Sequence, residues 1–246
     1  MNTNDRIVYP KMKKKGFKMK EAINSLRGNI QMAGYNVKAI AITSANAGEG
    51  KSRISFELAN SLADLNKRTL YLDCDIRKSK TKERYGIVQK TDGLSEFLCG
   101  QVSKEDIIYK TDKACMDIIF SGKRAPNPSE LLSEELFKNL ISELKSEYDY
   151  IIVDTPPADL VIDAQLISRY CDTVLLVVRS AVTDRRAAIR VKSHFESLGI
   201  KIMGVVLNRI SYKAGYGYGK YGYRKYGYEN QKYEVAMKDV DGDRNE

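Results

Sequence analysis

A short segment near residue 50 combines glycines, a lysine and a serine at the spacing typical of a phosphate-binding loop. Residues 45–52 read Ala-Asn-Ala-Gly-Glu-Gly-Lys-Ser, between an apolar run and a helical pattern. Glycines permit a tight turn in which successive backbone N–H groups point at one anion. Lys51 would reach the outer phosphates of a nucleotide triphosphate, and the Ser52 hydroxyl would ligate Mg²⁺. The residues predicted to bind the nucleotide are Ala47, Gly48, Glu49, Gly50, Lys51, Ser52 and Arg53.

Three aspartates stand where two apolar segments end. Asp73 and Asp75 follow the segment 69–72, and Asp154 follows the segment 150–153. In open parallel sheets, ligands bind outside the carboxyl ends of the strands, so these carboxylates should face the bound nucleotide. Asp154 fits the Walker B pattern, an acid that ends an apolar strand, and would hold Mg²⁺ directly or through water.

Apolar runs that alternate with helical patterns supply the elements that must position these side chains. The predicted strands are 37–43, 68–73, 116–120, 150–154, 173–178 and 202–207. The predicted helices are 21–32, 51–66, 93–98, 104–108, one running through Leu131 to Leu144, 164–168 and 184–198. This alternation predicts an α/β fold like that of P-loop NTPases, with a doubly wound, mostly parallel sheet and helices on both faces. Asn208 follows the last strand, where it could meet an adenine base or simply end the strand, and both alternatives are open.

The composition predicts one substantial domain with tails. With 246 residues and 43% apolar content, the chain can bury a single α/β core. No apolar run approaches the ~20 residues that a membrane span needs, and we expect a cytoplasmic protein. Four cysteines without close spacing predict reduced, core-like residues and neither a zinc site nor a disulfide framework. The net charge of +9 is unevenly placed, and the basic N-terminal arm, residues 1–20, is either a solvated lead-in or weakly attracted to an anionic membrane leaflet.

The C-terminal segment, residues 211–246, is rich in tyrosine, glycine and basic residues. A five-residue period that begins Tyr-Gly-Tyr occurs three times. The repeat contains no aliphatic residue and cannot build a core, so we predict that the segment is disordered. Such a composition can form a sticky linker or stack on nucleic acid, but beside a nucleotide-binding core we favour tyrosines that accept phosphate. The predicted acceptors are Tyr216, Tyr218, Tyr221, Tyr223, Tyr226 and Tyr228.

Together these motifs resemble those of the bacterial tyrosine kinases, or BY-kinases, of capsule and exopolysaccharide synthesis, in the form whose cytoplasmic kinase is a separate chain. The resemblance runs from about Glu21 to Asn208 and includes the tail. The motifs, in the family's order, are Lys51-Ser52, Asp73-Cys74-Asp75-Ile76-Arg77, Gly93-Leu94-Ser95, Pro-Asn-Pro-Ser-Glu-Leu-Leu at 126–132, Asp154-Thr155-Pro156-Pro157 and the tyrosine cluster. The resemblance implies a kinase domain at 21–210 and an autophosphorylation tail at 211–246.

The resemblance also implies the chemistry, an ATP- and Mg²⁺-dependent transfer of phosphate to tyrosines in the tail of a neighbouring copy. Asp73 and Asp75 would be the Walker A′ acids, of which one accepts the tyrosine proton and the other helps to hold Mg²⁺. The sequence does not assign the base; we favour Asp73, with Asp75 joining Ser52 and Asp154 as metal ligands. Lys51 would offset phosphoryl charge.

The partners implied by the resemblance belong to a membrane-associated assembly. They are further copies of the chain in a ring, a cognate tyrosine phosphatase and a membrane-anchored polysaccharide co-polymerase adaptor. The adaptor would recruit the chain to the inner face of the plasma membrane. No nucleic-acid partner is expected.

Ala45 replaces the usual first glycine of the phosphate loop, which is tolerable because this position lies farthest from the phosphates, but two other departures from the family pattern matter. The family's oligomerisation helix reads Glu-x-x-Arg-x-x-Arg, whereas here Asn24 stands between Glu21 and Arg27. Because asparagine lacks the charged guanidinium fork, we predict a ring contact that is weaker or differently made. Ser79 occupies a position where the family usually has proline, and we expect this change to affect loop rigidity more than chemistry.

The nearest alternative function is that of a partition or septum-positioning ATPase. Those proteins carry a second lysine early in the phosphate loop, where this chain has Asn46, and a tyrosine tail has no role in them. A module that binds nucleic acid or membrane through its basic and aromatic segments would leave the phosphate loop idle. We therefore favour the kinase.

Overall fold

The computed structural model describes residues 7–8, 16–34 and 36–211, and its strands form a single sheet. The strands are β1 (Ala39–Ser44), β2 (Thr69–Asp73), β3 (Tyr109–Lys110), β4 (Met116–Ile119), β5 (Tyr150–Asp154), β6 (Thr173–Arg179) and β7 (Ile202–Asn208). Their order across the sheet is β3-β4-β2-β5-β1-β6-β7. Only the pairing of β3 with β4 is antiparallel in this described part. The predicted α/β class with a mostly parallel sheet is confirmed.

Helices cover both faces of the sheet. In the described ranges they are α1 (Phe17–Met32), α2 (Lys51–Ala63), α3 (Thr81–Tyr85), α4 (Leu94–Leu98), α5 (Lys104–Ile107), α6 (Pro128–Ser133), α7 (Glu135–Glu147), α8 (Asp163–Ser168) and α9 (Arg185–Ser197). Among these helices, none is long and apolar enough to cross a bilayer.

Alternate residues of the central strands pack against opposite helical layers. Ile40 and Ile42 of β1 pack with α1 and α2. Ala39 of β1 and Leu70 of β2 pack with α6 and α7, and Ala41 packs with α9. Both β1 and β2 are buried along their whole length, which explains why their sequences are nearly continuous in apolar residues. The parallel pairing brings the carboxyl ends of β1, β2 and β5 to one edge, where the phosphate loop and the aspartates lie.

Several helices differ from the predicted ones, among them α2, which ends at Ala63 and not at residue 66. Helix α1 begins at Phe17, four residues before its predicted start. The prediction of one continuous helix through 131–144 is wrong, because Glu134 has an extended backbone with ψ of 158° and separates α6 from α7. Leu132 and Phe137, both fully buried, thus enter the same core from two separate helices.

The N-terminal arm is described only in part. Within it, Ile7 is 1% exposed and forms a bridge with Thr111, which follows β3. Sequence reasoning missed β3 because two residues give no periodic pattern. Residues 1–6 and 9–15 of the arm, and the predicted tail beyond residue 211, lie outside the described residues.

The prediction for the cysteines holds only in part. All four are free, Cys74 is buried and Cys171 is half-buried. Cys99 and Cys115 are exposed, so the core-like interpretation is wrong for these two. Cys99 caps α4, and Cys115 has a left-handed backbone with φ of 61° in the turn before β4. Both therefore belong to surface turns beside apolar segments.

Candidate active site

The phosphate loop joins β1 to α2 through two glycines whose backbone angles other residues rarely adopt. Gly48 and Gly50 have φ of 81° and 101°. Any side chain at Gly50 would also collide with the side-chain amide of Asn208. Lys51 then begins α2. The loop thus turns directly into a helix N-terminus, an arrangement that binds phosphate through backbone N–H groups.

Glu49 anchors this loop to its surroundings. Its carboxylate, 2% exposed, accepts hydrogen bonds from the Asn46 backbone N–H at 3.1 Å and the Thr183 hydroxyl at 2.5 Å. Asn208 Nδ2 donates to the Glu49 carbonyl at 2.8 Å, and Asn208 Oδ1 accepts from the Arg209 N–H at 2.8 Å. Glu49 can therefore reach a nucleotide only through its backbone. Asn208 ends β7 and supports the loop, and its contact with adenine stays a prediction.

Lys51 brings the three predicted magnesium ligands together. Its Nζ atom lies 3.3 Å from Ser52 Oγ. The same atom lies 3.8 Å from Asp75 Oδ2 and 3.8 Å from Asp154 Oδ1. A cationic group thus occupies the space among one hydroxyl and two carboxylates. Hard oxygen donors of this kind are the ligands that Mg²⁺ prefers, so these residues fit the ion implied by the sequence.

Asp154 is held by two hydroxyls that the motifs did not indicate. Ser55 Oγ donates to Oδ1 at 3.2 Å, and the Tyr71 hydroxyl donates to Oδ2 at 3.1 Å. Burial, followed by the charge of Asp154, raises the pKa of Tyr71, so its hydroxyl remains a donor. The sequence spacing of Ser55 and of Tyr71 could have indicated both residues. Ser55 lies one helical turn after Lys51, and Tyr71 shares a face of β2 with Asp73, two residues on.

Asp73 is buried, and both of its oxygens accept hydrogen bonds from its own loop. Oδ1 accepts from the Asp75 N–H at 3.1 Å, and Oδ2 accepts from the Ser79 hydroxyl. Burial, followed by the charge of Asp154, raises the pKa of Asp73 above its ordinary value. Asp75 keeps 14% of its side chain exposed. Ser79 therefore contacts a candidate catalytic acid, which the sequence did not indicate. The expected effect of this position on loop rigidity stays a prediction.

Arg77, which ends the Walker A′ motif, is fixed by two other elements. Its Nε and Nη2 atoms donate to the two carboxylate oxygens of Asp163 at 2.5 and 2.9 Å. Its Nη2 atom also donates to Ser129 Oγ at 2.8 Å, and Ser129 donates to Asp163 at 2.8 Å. Asp163 is fully buried at the start of α8. Sequence reasoning missed Asp163, because an acid in the first turn of a helix is common and carries no specific signal.

The polar residues of the predicted ring helix make contacts within the chain. Arg27 Nη1 donates to the carbonyl and the hydroxyl of Ser61, each at 2.9 Å. Asn24 Nδ2 donates to Glu21 at 3.1 Å, and Ser61 Oγ donates to Asn24 Oδ1 at 3.4 Å. Asn24 and Arg27 thus tie α1 to α2. A ring contact through this helix stays a prediction, and it would compete with these bonds.

The remaining predicted residues divide between the rim of the site and the tail. Ala47 is exposed in the phosphate loop, and Arg53 is exposed on the first turn of α2. The predicted acceptors lie outside the described residues; they are Tyr216, Tyr218, Tyr221, Tyr223, Tyr226 and Tyr228.

The chain is similar to known proteins over most of its length. A protein-family profile described as an AAA domain matches residues 37–185. The tyrosine-protein kinase CpsD of Streptococcus agalactiae serotype Ia is 39% identical over 201 residues, which cover 81% of this chain and 87% of that protein.

Solved structures show the same similarity in three dimensions. The kinase domain of the Escherichia coli tyrosine kinase ETK superposes with a TM-score of 0.76 at 32% identity, covering 83% of this chain and 80% of that one. The septum site-determining protein MinD of Pyrococcus horikoshii, complexed with Mg-ADP, superposes with a TM-score of 0.62 at 23% identity, covering 71% of each chain. At that identity the second likeness concerns the fold alone, and it confirms the predicted P-loop NTPase-like architecture.

Proposed function

The chain belongs to the bacterial tyrosine-protein kinases, and from this premise we propose that it transfers phosphate from ATP to tyrosines in the tail of a second copy. The observation that carries the proposal is the convergence of Asp75 and Asp154 on the Lys51 ammonium at the end of the phosphate loop. These groups meet at the carboxyl edge of the sheet, where open α/β sheets bind ligands. In this proposal residues 21–210 form the kinase domain and residues 211–246 carry the acceptors.

Each polar group at this centre has a proposed task. The backbone N–H groups of the phosphate loop would hold the phosphates, and Lys51 would offset the charge that develops on the transferred phosphoryl group. Ser52, Asp75 and Asp154 would hold Mg²⁺, which neutralises phosphate charge when it is bound. The tyrosine oxygen would form its bond to the γ-phosphorus while the bond to the leaving ADP oxygen breaks.

The proton of the acceptor tyrosine must pass to Asp73 or Asp75. The greater exposure of Asp75 favours it as the group that an incoming hydroxyl meets. The raised pKa of Asp73 favours that residue, because a base works best when its pKa lies near the operating pH. Asparagine variants distinguish them: the variant that keeps its affinity for Mg-ATP but loses phosphoryl transfer identifies the base.

We further propose that the kinase acts in capsule or exopolysaccharide synthesis and export. A membrane-anchored co-polymerase adaptor would bring the cytoplasmic chain to the inner face of the plasma membrane, and a ring of copies would present each tail to the next active site. A cognate tyrosine phosphatase would reverse the reaction. The support comes from the names of the relatives as tyrosine kinases and from the family motifs in the sequence.

The test is an autophosphorylation assay on the full-length chain. Purified wild type is incubated with ATP, Mg²⁺ and an adaptor fragment, and phosphotyrosines are mapped by mass spectrometry. The Lys51→Met variant lacks the cation that offsets the phosphoryl charge, so it should label no tyrosine. The control is Lys67→Met, a change at an exposed lysine just before β2, which should label normally. Wild-type labelling by a folded Lys51→Met protein would refute the proposed role of the phosphate loop.

A further inference from the structure

A small cavity opens beside the Walker A′ loop. It has a volume of about 350 Å³ and is lined by Arg77, Arg124, Ala125, Pro126 and Pro128. This volume lies near the lower end of the range for ligand pockets, so the cavity suits one side chain or a small anion. Neither the nucleotide site nor the proposed catalytic roles use it.

The cavity adjoins the catalytic acids. Arg77 follows Asp75 by two residues, and the Ala125 N–H donates to the Ile76 carbonyl at 3.3 Å, which joins the two loops that form the cavity. A ligand in the cavity would therefore lie next to the acceptor position.

The backbone that presents Arg124 is held in one conformation. Glu96, 4% exposed, accepts hydrogen bonds from the N–H groups of Gly93 at 2.9 Å and Lys123 at 3.1 Å. Gly122 has φ of 80°, and a side chain there would collide with the Glu96 carboxylate. The Arg77 guanidinium is fixed by Asp163 and Ser129, as described above. A preorganised site of this kind loses little entropy when it binds its ligand.

The chemistry of the lining points to a phosphate monoester. The Arg124 side chain is exposed and has no hydrogen bond or ion pair with any described residue, so its guanidinium is available to a ligand. Arginine forks match phosphate oxygens in paired hydrogen bonds, and a phosphotyrosine carries about −1.5 to −2 charges near neutral pH. Proline rings at 126 and 128 provide an apolar wall for the aromatic ring.

We propose that this cavity binds a phosphotyrosine of the acceptor tail while a tyrosine two residues away occupies the catalytic centre. The inference deepens the proposed function and rests on it. In an extended segment, residues i and i+2 point to the same side and lie about 6–7 Å apart, so Tyr-Gly-Tyr can place one ring at each position. The repeat supplies three such pairs, one in each period. The first phosphorylation of a pair would then favour the second.

Synthetic tail peptides test this proposal. The peptides span 219–225 and keep Tyr221 and Tyr223; one is unmodified, and two carry a single phosphate on either tyrosine. The enzyme is the full-length chain in which every tyrosine from Tyr212 to Tyr233 is changed to phenylalanine, so that its own tail does not compete. At least one phosphopeptide should show a KM about tenfold lower than the unmodified peptide, as expected for a charge-assisted bidentate contact.

The Arg124→Gln substitution in this enzyme should abolish the difference in KM between the peptides. Arg169→Gln is the matched control. Arg169 is exposed after α8, on the turn that leads into the amino end of β6, whereas Arg77 and Arg124 follow the carboxyl ends of β2 and β4. Inorganic phosphate should raise the KM of the phosphopeptide more than that of the unmodified peptide. Equal KM values for all peptides in the unsubstituted enzyme, or a preference that survives Arg124→Gln, would overturn the proposal.

Binding measured without catalysis separates this proposal from the proposed function. Fluorescence anisotropy with labelled peptides should show tighter binding of the phosphopeptide, and Arg124→Gln should remove that difference too. If the unmodified peptide is never phosphorylated but the phosphopeptide still binds through Arg124, the subsite stands and the tail is not the substrate. If the unmodified peptide is phosphorylated and no phosphopeptide binds more tightly, the subsite is refuted and the kinase stands.

Discussion

Replacing Arg77 by alanine should destabilise the protein more than replacing Asp163 by alanine, although both changes remove the same ion pair. The two partners differ in burial: the Asp163 side chain is 0% exposed and the Arg77 side chain is 36% exposed. When Asp163 is removed, the Arg77 guanidinium can turn to water. When Arg77 is removed, a carboxylate remains buried with Ser129 as its remaining side-chain donor.

The expected magnitudes follow from this difference. Asp163→Ala loses hydrogen bonds to a charged group that can partly be replaced by water, at a cost of about 1.5–3 kcal/mol. Arg77→Ala leaves an uncompensated buried charge, at a cost of about 3–5 kcal/mol. The double variant should be more stable than the sum of the single costs predicts, because the second change removes the stranded group.

Urea unfolding of the full-length chain at neutral pH without nucleotide measures these free energies. Arg169→Ala, which changes an exposed arginine, should have little effect and serves as the control. A larger loss for Asp163→Ala than for Arg77→Ala, or strictly additive costs in the double variant, would refute the reasoning from burial.

Three further predictions concern the active-site loop, the phosphate loop and the response to acid. Ser79→Ala should lower kcat with little change in the KM for ATP, because Asp73 loses its hydroxyl donor. Ser79→Thr keeps a hydroxyl and should restore kcat. Equal kcat values for the two variants in steady-state kinetics would contradict this. Gly50→Ala should abolish nucleotide binding in calorimetry and cost about 1–3 kcal/mol of stability, because its φ is left-handed and a side chain would collide with Asn208. Gly28→Ala in α1, which has open space around it, should be tolerated. Burial opposes ionisation of Asp172, but its bonds to Lys145 and to the Ala39 and Lys38 amides prevail and lower its pKa. This contribution to stability is therefore present above the unfolded pKa of about 4 and is lost as the pH falls through the lower folded value. Asp172→Asn should thus be less stable than wild type at pH 7, with the gap in urea midpoint closing below about pH 4, and a gap independent of pH would contradict the assignment.

Most of the elements, and the edge that carries the site, could be predicted from the sequence because apolar runs and helical spacing are local patterns. Continuous apolar runs indicated β1, β2 and β5, and the parallel topology then required the residues after them to meet at one edge. Lys51, Asp75 and Asp154 were expected together for that reason and lie together. The sequence predicts a tight turn at the glycines of the loop, and Gly48 and Gly50 have positive φ angles there.

The contacts that hold the site depend on packing between distant segments, and no local pattern encodes them. The Tyr71 and Asp154 side chains are 83 residues apart in the sequence, and Arg77 and Asp163 are 86 residues apart. The break at Glu134 is another example, because a helix pattern with continuous leucine spacing does not reveal that two helices pack separately. Because the family usually has proline at position 79, the sequence predicts an effect of Ser79 on loop rigidity. The contact between the Ser79 hydroxyl and Asp73 depends on how the loop after β2 folds, which the sequence does not reveal.

Transfer between copies is tested most directly by mixing two full-length variants. One carries Lys51→Met and keeps its tail tyrosines; the other keeps Lys51 and has every tyrosine from Tyr212 to Tyr233 changed to phenylalanine. With ATP and Mg²⁺, neither variant alone should acquire tail phosphotyrosine, while the mixture should label the tail of the Lys51→Met chain. A mixture that stays unlabelled while wild type labels itself would contradict transfer between copies, and labelling of Lys51→Met alone would contradict the catalytic site.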